Sequence, residues 1–302
     1  MKAIINGKLI VPDLTGKFQL AEKHVIIFDE FIDKIVSDEE FSTIDRASLE
    51  EIIDADGRYV SPGFVNIHIH GCVGRDTMDC ELKALKAMAD FQASTGVTSF
   101  LPTTMTYDLP RIYKALDVIP EAQKYDNGAR ILGINMEGPF ISARYRGAQA
   151  EENICEADFA LIDKYKNLIK LITVAPETIP KDSDFFDKCH EAGIVVSLGH
   201  TAASYECAYD AITKGHATHI THLFNAMSGL HHREPGVVGA ALDTDAFCEI
   251  IVDNIHCNPA VQRIVNKVKG NARTVLITDS MRACGMGDGE SELGGQDRKS
   301  VV

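Results

Sequence analysis

From about residue 59 onward, short apolar runs alternate with stretches of helical periodicity. The runs at 60–70, 97–104, 130–137, 169–175, 194–200, 217–223, 248–255 and 274–279 predict β-strands. Between most of them, apolar residues recur at helical spacing, predicting helices at 81–95, 109–125, 156–166, 183–192, 204–214 and 258–269. The connection 224–247 is different. It is long and Gly-rich, holds His231-His232-Arg233-Glu234-Pro235-Gly236, and reads as a functional loop. Eight apolar strands with intervening helices point to an α/β fold, a (β/α)8 barrel of the TIM type. A doubly wound open sheet competes with it. No G-x-G-x-x-G follows the first strand, which removes one support for that alternative. Residues 1–56 read instead as short strands and turns. KAIINGKLIV and KHVIIFDEFIDKIVS are β-rich, with breaks at Asn6-Gly7 and across the polar segment from Pro12 to Gly16. The expected organisation is a small β domain at 1–56 followed by a barrel at 57–302.

In such a barrel, catalytic groups come from the C-terminal ends of several strands. The first predicted strand ends in His68 and His70. Side chains two residues apart on a strand share a face, so both imidazoles project together. The third strand ends in Glu137, the fifth in His200, the sixth near His222 and the eighth in Asp279. Strands must emerge into water, so one polar ending needs no explanation. Five strands ending in metal-ligand chemistry point to a metal site. The remaining histidines are not needed for it. His24, His190 and His216 read as solvated structural residues. His219 lies three residues before His222 and so faces the other way. His231 and His232 could serve the loop or the site.

Divalent metals held by His and carboxylate polarise carbonyls and lower the pKa of bound water to roughly 7. Hydrolysis is the expected reaction class. Asp279 is the candidate proton carrier, although Thr-Asp-Ser also reads as a helix cap. No G-x-S-x-G supports a serine nucleophile. The composition of the 302 residues, 45% hydrophobic and 25% charged, is that of an ordinary soluble domain. A net charge of −14 argues against nucleic acid as the main partner. The N-terminus lacks the apolar core of a signal peptide, and no run approaches the roughly 18–20 apolar residues of a membrane span. Eight scattered cysteines with no C-x-x-C predict reduced thiols in a cytoplasmic protein.

The segments PGFVNIHIHG, TSFLPTT, NMEGPFIS, VAPE, SLGHT, THLFNAM, REPGVVGAAL, DNIH and LITDSM run in order along the chain. Each is modest alone. Together they resemble the amidohydrolase superfamily and, within it, the family of N-acetylglucosamine-6-phosphate deacetylases. The resemblance implies hydrolysis of an amino-sugar 6-phosphate to acetate and the free amine. An N-acetylgalactosamine 6-phosphate substrate and a non-catalytic scaffold are the alternatives. It implies Glu137, His200 and His222 as the main ligands of a divalent cation: zinc, iron, manganese or cobalt. A second ion held by His68, His70 and a bridging Glu137 would make two per subunit. Asp279 matches the catalytic acid/base. Asn225, Ala226 and Ala148 match substrate contacts. Arg233 and His256 match groups that hold the sugar phosphate, the arginine reaching across a homodimer interface.

Two departures from the family stand out. Some relatives carry G-A-H where this chain has Gly147-Ala148-Gln149, so Gln149 is the expected substitute for a histidine that orients the acetyl carbonyl. Family members also continue well past the LGGQ of residues 293–296, whereas this chain ends in Asp297-Arg298-Lys299-Ser300-Val301-Val302. The expectation is a barrel truncated after its eighth strand. Apolar surface would then lie uncovered by a last helix, and the N-terminal strands would have open edges.

Overall fold

The eight apolar runs form one parallel sheet that curls into a barrel. The computed structural model describes residues 1–13, 17–293 and 296–300. Its barrel strands are β1 (Phe64–Ile69), β2 (Val97–Thr104), β3 (Ile134–Glu137), β4 (Ile169–Val174), β5 (Val195–Leu198), β6 (Ala217–Ile220), β7 (Phe247–Ile251) and β8 (Thr274–Ile277). Each pairs in parallel with the next. The sheet is nearly closed, and β8 meets β1 at their C-terminal ends. There the Asp279 N–H donates to the His68 carbonyl at 3.0 Å and the His70 N–H to the Ser280 carbonyl at 2.9 Å. The Asn66 amide reaches the Thr278 hydroxyl at 2.8 Å. Closure is therefore tightest at the end that carries the candidate ligands.

Helices follow most strands, each with a local reason to start. Leu82–Ser94 buries Ala84, Leu85, Met88, Ala89 and Gln92, one stripe of a 3.6-residue period. Leu109–Ala122 begins on Asp108, whose carboxylate accepts from the Arg111 N–H, with a proline in its first turn. Ser204 caps Tyr205–Thr213 and Asn258 caps Pro259–Lys269 in the same way. Phe185–Glu191 follows β4.

Two expectations are corrected. The predicted helix at 156–166 is a pair of 3₁₀ turns, Phe159–Leu161 and Asp163–Tyr165. Its buried positions Phe159, Ile162 and Tyr165 recur every three residues, the period of a 3₁₀ turn. Asp158 starts the first turn by accepting from the Ala160 N–H. The 224–247 connection is not wholly loop, because it contains the helix Gly236–Asp243. Gly236 through Ala241 are all buried, so this helix lacks the polar face that would have produced a periodic signal. Its glycine is also required by packing: a Cβ on Gly239 would lie 2.3 Å from the Pro235 ring.

The barrel interior carries small polar side chains as well as an apolar cluster. Asn66, Thr103, Asn135, Thr173, Ser197, Thr221 and Glu249 are all buried. Several pair with one another or with nearby backbone: Thr173 to Thr221 at 2.9 Å, Ser197 to Thr221 at 2.6 Å, and the Asn135 amide N–H to the Ile67 carbonyl at 3.0 Å. Buried polar groups that are paired in this way fix strand register where an apolar core would allow slip. Outside, Phe64, Val65 and Leu276 of β1 and β8 are exposed, at 67%, 49% and 59%. Apolar surface is thus uncovered on these strands.

Residues Phe64–Val302 form one unit and Met1–Gly63 another. The N-terminal unit holds a four-stranded sheet in the order Ile32–Ser37, His24–Phe28, Lys2–Ile5, Glu51–Asp54. A second sheet joins Phe18–Ala21, Lys8–Pro12 and Tyr59–Val60. Ala3, Val25, Ile27, Val36 and Phe41 make its small core. Asn6 adopts φ +56°, the turn conformation expected of Asn-Gly. Leu14, Thr15 and Gly16 of the predicted polar break, and Gly294, Gly295, Val301 and Val302 of the terminal segment, lie outside the described residues. No described helix is long and apolar enough to cross a membrane.

Candidate metal centre and active site

The strand ends converge on one carboxylate. Glu137, the last residue of β3, is surrounded by four imidazoles. Its Oε1 lies 3.3 Å from His68 Nε2, 3.2 Å from His200 Nε2 and 3.0 Å from His222 Nε2, and its Oε2 lies 3.2 Å from His70 Nε2. Asp279 completes the ring, with Oδ1 3.3 Å from both His68 and His70. The four histidines and Glu137 are buried, while the Asp279 side chain keeps 20% of its surface accessible. Asp279 is therefore the member of the ring most open to a ligand.

The backbone that aims these groups is unusual. His200, His222 and Asp279 adopt φ of +48°, +28° and +48°. Each follows its strand by two residues, where the chain turns sharply out of the barrel. A non-glycine residue in this region costs on the order of 1–2 kcal/mol, so surrounding contacts must hold it. They do so around His200. Its carbonyl accepts from the Ser142 N–H at 2.9 Å. The next residue, Thr201, donates its N–H to the Ala226 carbonyl at 3.2 Å. Glu177 of the VAPE segment accepts from the Thr201 hydroxyl and the Ala202 N–H. Gly138 is needed after Glu137: φ is +76°, and a Cβ would lie 2.1 Å from Thr106 Oγ1.

Two groups of three residues could each hold an ion: His68, His70 and Glu137, and Glu137, His200 and His222. The donor set fits a divalent cation on physical grounds. His200 Nε2 and His222 Nε2 stand 3.1 Å apart. A single proton would bridge the two nitrogens as a hydrogen bond, and a divalent cation accepting both lone pairs fits the same spacing. His68 Nε2 is buried 3.3 Å from the Glu137 and Asp279 carboxylates, with no well-formed hydrogen bond among the described residues. Ligand bonds of about 2.0–2.1 Å in a tetrahedron put ligand atoms about 3.3–3.4 Å apart, close to the spacings seen here.

The charges of the cluster say the same. Burial alone would push His68 toward neutrality, but the Asp279 and Glu137 carboxylates outweigh it and hold the ring well above the usual imidazole range. His70 is likewise driven down by burial and carried up to about 10 by hydrogen bonds to Asp279 and Glu137. Burial would raise Glu137; the His200 and His68 charges keep it well below the usual carboxylate range. Asp279 is opposed by burial and brought down to about 2 by His68 and His70. The centre therefore demands positive charge where the Nε2 atoms meet. A divalent ion held by these residues would supply it in place of the protons.

The other sequence-predicted residues fall at varied distances from this ring. Ala226 and Asn225 lie beside it, because Ala226 is pinned to Thr201 and the Asn225 amide donates to the His222 carbonyl at 3.2 Å. Gly147, next to Ala148, packs against the His200 ring, where a Cβ would lie 3.5 Å from Cε1. Gln149 is buried within the site. Its Nε2 donates to Glu137 Oε2 at 2.6 Å and its Oε1 accepts from the Thr106 N–H at 2.6 Å. His256 is exposed, with Nδ1 donating to Asp253 at 2.6 Å, so a carboxylate orients its ring. Arg233 is exposed and lines a cavity of about 370 Å³ with Arg144, Tyr145, Ser204 and His231. His219 points away and stacks on Phe247 at 4.8 Å, as its strand position predicted. His190 and His216 stack on each other at 4.2 Å, away from the cluster.

Residues 59–285 match the amidohydrolase family. The chain belongs to the amidohydrolase family. It is 43% identical over 244 residues to the N-acetylglucosamine-6-phosphate deacetylase of Bacillus subtilis, a match covering 78% of this chain and 61% of that one. It is 37% identical over 281 residues to the human protein of that name, covering 87% of this chain and 68% of that one. Among solved structures, the N-acetylglucosamine-6-phosphate deacetylase from Pasteurella multocida superimposes with a TM-score of 0.89 at 30% identity, over 99% of this chain and 77% of that one. The chain thus spans about three fifths of the Bacillus relative's length.

Sequence reasoning passed over several residues that build the centre of this amidohydrolase. The Tyr145 carbonyl accepts from His200 Nδ1 at 3.0 Å, and the Thr103 carbonyl lies 3.3 Å from His70 Nδ1. Backbone acceptors leave no trace in residue type. Glu249 lies 3.0 Å from His68 Nδ1. Its signal was visible: a lone acid inside the apolar run Phe247-Cys248-Glu249-Ile250-Ile251.

Proposed function

We propose that this chain is a metal-dependent deacetylase that converts N-acetylglucosamine 6-phosphate to glucosamine 6-phosphate and acetate. The observation that carries the reading is the ring of four histidines, Glu137 and Asp279 at the closed end of the barrel. The named relatives supply the substrate class. Zinc, iron, manganese or cobalt suits the donor set. His200, His222 and Glu137 would hold one ion, and His68, His70 and Glu137 a second. When bound, a divalent ion in this position polarises a carbonyl and acidifies water.

The chain's own residues do the rest. Asp279 takes the proton of the attacking water through its carboxylate and passes it to the departing sugar amine. Its partial exposure gives it access to substrate, and its contacts with His68 and His70 fix its direction. Asn225 and Ala226, held against the His200 turn, line the acetyl and sugar side, with Ala148 following Gly147, which packs against His200 and Ala226. Arg233 and His256 bind the phosphate, the arginine as a planar fork of donors and the histidine as a ring steadied by Asp253. In the same reading the protein is a cytoplasmic homodimer in which Arg233 reaches the partner's substrate. A single-chain mass by light scattering would remove that arrangement.

Gln149 keeps a second amide N–H beyond the one donated to Glu137. We assign that N–H to the acetyl oxygen. Gln149→Ala should then lower kcat by roughly 10-fold or more, and Gln149→His should retain more activity than the alanine variant. Equal rates for all three forms would exclude Gln149 from the reaction.

The substrate assignment is tested by acetate release from four compounds: N-acetylglucosamine 6-phosphate, its galactosamine epimer and the two unphosphorylated sugars. The glucosamine phosphate should be hydrolysed fastest, and Arg233→Ala should erase the preference for phosphate. Faster hydrolysis of the galactosamine phosphate would transfer the assignment to that epimer. No release from any of the four would end it.

A further inference from the structure

We infer that Glu249 is the positioning residue that makes the His68–His70–Glu137 group an ion site. The inference rests on the metal reading above and goes beyond its ligand set. Glu249 sits on β7 with no exposed surface, and His68 is equally buried. A carboxylate only accepts, so the 3.0 Å contact places the proton of His68 on Nδ1. Nε2 is thereby aimed at Glu137 and Asp279, 3.3 Å from each.

The other three ligand rings are handled differently. His70 and His200 face backbone carbonyls through Nδ1. His222 Nδ1 is buried with no partner among the described residues. Of the four rings, His68 is the one whose Nδ1 meets a carboxylate among the described residues. A buried carboxylate is costly unless its charge is used. Here its partners are His68 and, at 3.3 Å, the His222 N–H, while Oε1 has none among the described residues. The shorter bond goes to His68. A carboxylate behind an imidazole fixes the ring and makes it a stronger donor, and losing such a partner weakens metal affinity about 10–100-fold. The ion between His200 and His222 gains less, because Glu249 reaches His222 only through its backbone N–H at 3.3 Å and the His200 ring is held by the Tyr145 carbonyl.

The test counts metal rather than turnover. The full chain is stripped with a chelator, reloaded with excess zinc and freed of unbound metal. Zinc per chain is then measured by mass spectrometry and each dissociation constant by competition. Wild type should hold one ion in each group. Glu249→Gln and Glu249→Leu should lose one ion, or bind the weaker one about 10–100-fold less tightly, and keep the other. His68→Ala is the comparator and should show the same loss. The retained ion reports an intact site, which a merely unfolded variant would not have. Wild-type zinc number and affinity in both Glu249 variants would overturn the inference. So would loss of both ions together, or a wild type that takes up only one. Acetate release by wild type is measured separately, so the deacetylase reading and the role of Glu249 can fail independently.

Discussion

Replacing Asp279 with asparagine should leave a folded protein that loads metal normally and turns over roughly 10²–10⁴-fold more slowly. Asparagine keeps the shape and can still place an oxygen near His68 and His70, now 3.3 Å from Asp279 Oδ1. It cannot take a proton from water or return one to the amine. Neither of the two three-residue ligand groups includes Asp279, so metal content should survive. The backbone should survive as well, because the bond from the residue 279 N–H to the His68 carbonyl does not involve the side chain. The check is kcat beside zinc content on the same preparation. Near-wild-type turnover in that variant would remove Asp279 from the proton transfer. Parallel loss of metal would instead make it a ligand.

A second large effect is expected at Glu137. It belongs to both ligand groups, so Glu137→Ala removes a ligand from each and leaves two imidazoles on either side. Affinity should fall at both positions by more than about 100-fold, the upper range for losing an orienting partner alone. The variant also loses the acceptor of the Gln149 amide and the counter-charge of four buried rings. A lower melting temperature of the metal-free protein should accompany the loss of binding, since buried groups left unpaired are destabilising. Retention of one tightly bound ion would show that the groups do not share this carboxylate.

Much of this arrangement was legible in the chain. Apolar runs such as Ile169–Val174 and Val195–Leu198 are strands because a parallel barrel strand is buried by helices outside and side chains inside. The polar residues that end those runs are the ones that meet. What the pattern could not show was the geometry of the exits. His200, His222 and Asp279 continue no strand; they turn into the left-handed region, held respectively by Glu177 and Ser142, by Glu249, and by the β1–β8 closure. Those restraints come from far along the chain. The helix Gly236–Asp243 was hidden because its first six residues are all buried, and the turns at 159–165 because a three-residue period resembles a helical one over a short span. Gln149 read as a replacement for a histidine, yet its amide also anchors Glu137, which residue type alone does not reveal.

The most direct test of the whole account measures acetate released from N-acetylglucosamine 6-phosphate together with bound metal, on one sample taken through chelation and reloading. The account predicts that release stops when the ions are removed and returns in proportion to the zinc, manganese, cobalt or iron taken up again. Undiminished release from chelated, metal-free protein would contradict it, as would a fully loaded protein that releases no acetate.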